Sequence, residues 1–176
     1  VRKPVRLDDV SDLVREQLFD VDLEGNDLNV WLYNTARLAI SFGHVGVLVD
    51  APKEGDKTRP YWVTYTPKDI LGFRSEIVDG VRQLTQLRLL EQVVEPDGKY
   101  GDKIVKQIRV LERGRYEIHR KDDKKNEYKI FDQGEMSIKD KIPFAIAYSN
   151  RVGYYESRSP LYDIAELNLK HYQIQS

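Results

Sequence analysis

Residues 70–95 read ILGFRSEIVDGVRQLTQLRLLEQVVE. Two β-prone runs flank Asp79-Gly80 in this stretch. A type I′ turn needs positive φ at both of its central residues, and Asp-Gly is among the pairs that tolerate this best. The segment therefore predicts a β-hairpin. A two-residue turn would set Phe73 against Gln86 and Ile77 against Arg82, which sorts apolar faces poorly. A wider turn taking in residues 81–83, or a bulge at Leu89-Leu90, aligns the apolar faces better.

The same alternating texture continues to about residue 149. Runs at 104–112, 115–121, 127–132 and 144–148 read as strands joined by polar turns at Arg113-Gly114 and at 122–126. Before the hairpin, 45–50 and 61–66 read as strands on either side of a charged, turn-rich loop at 51–60. Short strands separated by frequent turns describe a meander, either a twisted sheet or a partly closed barrel.

Helical patterns flank these strands. Residues 1–7 read as an extended lead-in, since Pro4 disfavours helix at Lys3. Asp8 or Asp9 then caps a helix running to about Leu23, with Val10, Leu13, Val14, Leu18 and Val21 at three- and four-residue steps. Gly25 ends it, and Asn26 or Asp27 caps a second helix over 28–42. That helix is apolar on almost every side, which predicts burial of most of its surface. Gly43 is the expected residue at its end. Ser159-Pro160 opens a last helix by capping and by placing proline at the first helical position. Leu161, Ile164, Ala165, Asn168 and Tyr172 form a stripe along it.

The fold class read from this order is α+β, with N-terminal helices, an antiparallel β-meander and a C-terminal helix. The expected division is a helical segment at 1–43, a β-rich domain at 44–150, and a loop with the start of a helix at 151–176. The opening at Val1 and the stop within a helical pattern read as a piece of a longer protein.

Composition narrows the function. The chain has 176 residues, 40% hydrophobic and 32% charged, with a formal net charge of −1. The whole molecule is therefore no polyelectrolyte binder of nucleic acid or membrane. Charge is nonetheless uneven. Residues 8–27 hold eight acids against Arg15 alone, and residues 97–129 hold eleven Lys or Arg against seven Asp or Glu. With no cysteine, disulfides, thiolate metal sites and cysteine nucleophiles are excluded.

His44, His119 and His171 lack metal-ligand spacing, and no Gly-x-Ser-x-Gly occurs. Gly43 and Gly46 follow a helix and enter a strand, the reverse of a phosphate-binding loop. No catalytic residue, cofactor site or metal site is expected. Arg74, Arg82, Arg88, Lys103 and Lys106, with Lys99 and Arg109, are candidate nucleic-acid contacts, and Tyr61, Trp62, Tyr65 and Phe73 would supply stacking surfaces. Glu76, Glu91 and Glu95 interrupt that set and favour outward charges on a sheet. Tyr154 and Tyr155, between Arg151 and Arg158, are residue types enriched at interfaces. They serve either as contacts or as a cover for the last helix. These four residues and Trp31 are the candidate subunit-interface positions.

Two stretches carry a family likeness. The first comprises AISFGHVGVLVDAP at 39–52, RPYWVTY at 59–65, ILGFR at 70–74 and LTQLRLLE at 84–91. The second comprises IPF at 142–144, Asn150, and SPLYDIAELNLKHY at 159–172. Over residues 30–176 the chain resembles the portal, or head-to-tail connector, proteins of tailed bacteriophages, and looks closest to a portal-like branch catalogued as a family of unknown function. The resemblance implies a β-rich wing with flanking helices in a protein that forms a ring at one capsid vertex. It implies no enzymatic site and no cofactor. The implied partners are other copies of the chain, the terminase motor, capsid and neck proteins, and double-stranded DNA held by parts outside these residues. The implied location is the virion, or the bacterial host cytoplasm during assembly. The alternative is a nucleic-acid-binding β module using the hairpin arginines and aromatics.

Overall fold

The computed structural model describes residues 7–50, 59–122 and 126–175. The expected lead-in at 1–6, most of the loop at 51–60 and the centre of the turn at 122–126 lie outside the described residues. The architecture is α+β with an antiparallel meander. It divides by contacts into two units, residues 1–66 with 144–176 and residues 67–143. The strands at 44–50, 61–65 and 144–148 thus group with the helices, because they pair with one another and with no strand of the meander. This differs from the division at 43 and 150 expected from sequence.

In the first unit, α1 is only Asp12–Gln17, with Ser11 as its cap. The expected helix to Leu23 does not form. Short polar side chains bond to nearby backbone N–H groups and compete with the helix. The Asp20 carboxylate accepts from Gly25 N–H, and that of Asp22 from Glu24 and Asn26 N–H. The chain doubles back, closed by Val21 N–H to Asn26 O at 2.9 Å.

Asp27 then caps α2 (Leu28–Phe42) by accepting from Val30 N–H at 2.9 Å. Gly43 ends α2 at φ 91° and donates to Ala39 O. It leads directly into β1 (His44–Asp50), the central strand between β2 (Tyr61–Tyr65) and the later β8 (Phe144–Tyr148). Val21, Leu28 and Trp31 form a buried cluster against Leu18, Leu32, Val47 and Trp62. The rings of Trp31 and Trp62 meet edge to face at 4.9 Å, a geometry contributing about 0.5–1.5 kcal/mol beyond area burial.

Burial of α2 is narrower than its composition predicts. Leu28, Trp31, Thr35 and Ala39 face inward, while Val30, Tyr33 and Ile40 are exposed. One three-stranded sheet covers one face of a helix, and among the described residues of this unit no second layer covers the apolar residues on its other face.

The second unit is an open five-stranded meander in sequence order, β3 (Ile70–Val78), β4 (Val81–Asp97), β5 (Gly101–Glu112), β6 (Arg115–Asp122) and β7 (Glu127–Glu135). Strands β3 and β7 stand at opposite ends, so the sheet is not a closed barrel. The hairpin turn is the tight one. Asp79 and Gly80 have φ of 50° and 77°, with Val78 opposite Val81 and Ile77 opposite Arg82. Neither the wider turn nor the bulge at Leu89-Leu90 occurs. The ladder instead skips Thr85 on β4, bringing Phe73 opposite Leu87, and then skips Leu71 on β3, bringing Ile70 opposite Leu89. The first bulge shifts the ladder by a residue and restores the Phe73–Leu87 match that the tight turn alone would lose, and the second returns it to the tight-turn register, in which Ile70 meets Leu89. Leu87, Leu89 and Leu111 are fully buried on this face.

After β8, a small ribbon of β9 (Arg151–Gly153) and β10 (Glu156–Ser157) leads to α3 (Tyr162–Gln175). Ser159 Oγ accepts from Leu161 N–H at 3.1 Å, and the helix bonds begin with Ala165 N–H to Leu161 O. Among the described residues of α3 none is buried.

Candidate functional site

The five cations proposed as a nucleic-acid strip do not share a face. Registered neighbours in a sheet lie on the same side, and successive residues alternate. Lys103 stands opposite Glu95 and Arg82 opposite Ile77, on the side that carries Leu87 and Phe73. Arg74 stands opposite Gln86, Arg88 opposite Val110 and Lys106 opposite Gln92, on the other side. The bulge at Thr85 puts Arg82 and Arg88 on opposite sides despite their even spacing.

Acids interleave with these cations. Arg109 Nε lies 2.7 Å from Glu91 Oε1, and Gln107 Nε2 donates to Glu91 Oε2 at 2.8 Å. Arg120 donates to Gln107 Oε1 from Nε and Nη2, and to Glu95 from Nη1 at 2.6 Å. Lys103 Nζ lies 3.8 Å from the same Glu95. This ladder runs across β4, β5 and β6 and sets two glutamates among three cations. On the opposite side, hydrogen bonds from Gln86 and Arg115 hold the Glu112 carboxyl below its ordinary range, with a further contribution from the charge of Arg74. The guanidinium of Arg88 lies over Gly72, where a side chain on the glycine would displace it.

The aromatic candidates are divided as well. Trp62 and Tyr65 belong to the first unit, and Tyr65 is buried. Phe73 belongs to the sheet of the second.

The candidate interface set also resolves into separate roles. Trp31 is 8% exposed and part of the helix core, which removes it from the surface. Tyr155 folds back onto β8. Its ring stacks on Phe144 at 6.1 Å, and its N–H donates to the Tyr148 hydroxyl at 2.9 Å. Burial raises the Tyr155 hydroxyl pKa, with Tyr154 and Tyr148 adding to the effect. Tyr154 lies against Tyr155 at 4.8 Å. Tyr155 therefore packs on a strand and Tyr154 on Tyr155, whereas the sequence offered either contacts or a cover for the last helix. Arg151 lies over the Tyr148 ring, and Arg158 lies over Tyr162 while pairing with Asp163. Both arginines remain exposed.

Two surfaces went unnoticed in the sequence or were seen only in part. The outer side of α2 presents Val30, Tyr33 and Ile40, with Arg37 among them. Their spacing of three, four and three was the available signal, obscured because the opposite side of the helix is apolar too. On α3 the stripe is wider than the one read from sequence. Ile164, Leu167, Leu169, Tyr172 and Ile174 are all exposed, Ile174 at 84%.

No group of three or more His, Asp or Glu residues suited to a metal ion occurs among the described residues. No described helix is long and apolar enough to cross a membrane. No family model matches the chain, and no curated protein matches it.

Proposed function

We propose that this chain is a structural part of an assembly-forming, portal-like protein, acting through contacts between chains rather than through chemistry at an active site. The observation that carries the reading is the exposed apolar surface of α2 and α3. Exposed apolar patches of this kind mark surfaces that other protein covers. The likeness of residues 39–52 and 159–172 to portal proteins supplies the kind of assembly, a ring at a capsid vertex that passes DNA and joins head to tail. On this reading the five-stranded sheet is a wing whose work is mechanical. Negative-stain electron microscopy, at micromolar concentration, of the full-length portal-like protein of which this chain is proposed to be a part tests the proposal. Rings are the expected result, and monomers throughout would overturn it.

The alternative, a nucleic-acid-binding β module, is disfavoured by the split of Arg74, Arg82, Arg88, Lys103 and Lys106 between two faces and by the Glu91 and Glu95 pairing. Titration with single- and double-stranded DNA and with RNA near 50 mM salt, where phosphate-driven binding is strong, decides it. No binding is expected there. Submicromolar affinity would reinstate the alternative.

A further inference from the structure

A segment of eleven residues, 149–159, lies over the end of α2 and leads into α3. Its polar groups converge on the last turn of that helix. Ser149 N–H donates to Gly43 O at 3.0 Å, and Ser149 Oγ donates to Ala39 O at 2.7 Å. Asn150 N–H also reaches Gly43 O, and Ser159 Oγ donates to Ile40 O at 2.9 Å. Arg158 N–H closes the segment on itself at Asn150 O. Beneath it lies His44, 7% exposed, with Nδ1 2.6 Å from Ser157 Oγ.

We propose that His44 makes this strap acid-labile, so that protonation of the ring opens residues 149–159 and frees the root of α3.

The neutral ring suits the site. Nδ1 and a serine hydroxyl make one hydrogen bond whichever of them donates. A charged ring would keep that bond by donating to Ser157 Oγ. It would still lose its hydration, and one neutral hydroxyl does not replace it. The surrounding charges are engaged elsewhere. Arg158 on the strap is turned to Asp163 and Tyr162 of α3, and the Glu156 carboxylate lies against Gly153. From β8, Tyr148 places its ring 5.8 Å from that of His44 and carries Arg151 near its own ring. Among the causes acting on the His44 ring, burial is the one resolved, and it favours the neutral form. A helix C-terminus attracts cations, but Ser149, Asn150 and Ser159 already occupy carbonyls at this one.

Relief for the imidazolium comes from water, and the strap is what stands over it. The consequence reaches α3 because α3 buries none of its own described residues and takes its position from these root contacts.

The pH direction follows from the neutral preference. The closed state is favoured in full above the ordinary imidazole value of 6.5. That preference is lost as pH falls below 6.5 through the lower value of the closed state.

Amide hydrogen exchange of residues 149–159, corrected for intrinsic rates, tests this from about pH 7.5 to about pH 4.5. Protection is expected to fall about tenfold or more in the wild type, with a midpoint shared by the His44 ring titration followed by NMR. In His44→Asn the strap is expected to show no such step. A flat wild-type profile, or an equal step in His44→Asn, would overturn the proposal. Should His44→Asn fail to fold, the wild type still decides. A His44 titration at or above 6.5 with the strap intact overturns it as well.

Discussion

Gly43 is the residue on which the first unit turns. Its φ of 91° is costly for an L side chain, and a Cβ there would meet Ser157 Oγ and the backbone of Arg158. Gly43→Ala is expected to destabilise the protein by about 2–3 kcal/mol, since strain and close contact combine. Gly80→Ala, with open space around the site, should cost only about 1 kcal/mol. Urea unfolding of both variants checks the ordering. Glu91 makes a second contrast. Its side chain is 11% exposed and faces an Arg109 side chain that is 18% exposed. Removing it in Glu91→Ala takes the carboxylate from beside a shielded guanidinium, at a cost of about 2–3 kcal/mol. Glu135→Ala breaks a fully exposed pair with Lys139 and is expected to leave the unfolding midpoint unchanged. Equal effects from the two glutamate variants would contradict the shielding argument.

At the scale of elements, the hairpin of β3 and β4 shows how local chemistry and sheet packing divide the work. Positive φ at Asp79 and Gly80 is a local requirement, and these two residues meet it. Asp79→Ala with Gly80→Ala is therefore expected to cost about 2 kcal/mol, whereas Asp79→Asn should be neutral or slightly stabilising, both read from the thermal midpoint. The bulges at Thr85 and Leu71 have no comparable local signature. They bring Phe73 and Ile70 of β3 opposite Leu87 and Leu89, on the face where β5 already sets Leu111 beside Leu87. The ends of α2 were legible for the same reason as the turn, since Asp27 and Gly43 act on adjacent backbone. The end of α1 was not. Asp20 and Asp22 diverted the backbone N–H groups of 24–26 into a turn, and the three- and four-residue spacing of apolar side chains carries no trace of that competition.

For the whole molecule, residues 67–143 form a continuous insertion between β2 and β8. Its sheet pairs within itself and includes its own buried leucines. Residues 67–143 produced alone are expected to give a β-type circular dichroism spectrum and one cooperative thermal transition. A spectrum of disordered chain would show that the sheet depends on the first unit. The 176-residue chain alone is expected to scatter light as a monomer or weak oligomer, because ring contacts in large assemblies draw on several domains. A stable high-order ring from this chain alone would contradict that expectation.

The candidate surfaces show the limit of reading residues in order. Arg82 and Arg88 are six apart and would share a face in an unbroken strand, yet the Thr85 bulge separates them. Trp31 and Tyr33 are both aromatic residues of one helix, yet one is buried and the other 58% exposed. The sequence by itself determined the capped helix, the hairpin of β3 and β4 and the antiparallel order of the meander, because each depends on backbone preferences within a few residues. Only the tertiary structure decided which strands joined the helices, where the ladder slipped and which apolar faces stayed uncovered. Those outcomes depend on pairing between residues as distant as His44 and Tyr148, and the sheets and helices cover one another only where such pairing brings them together.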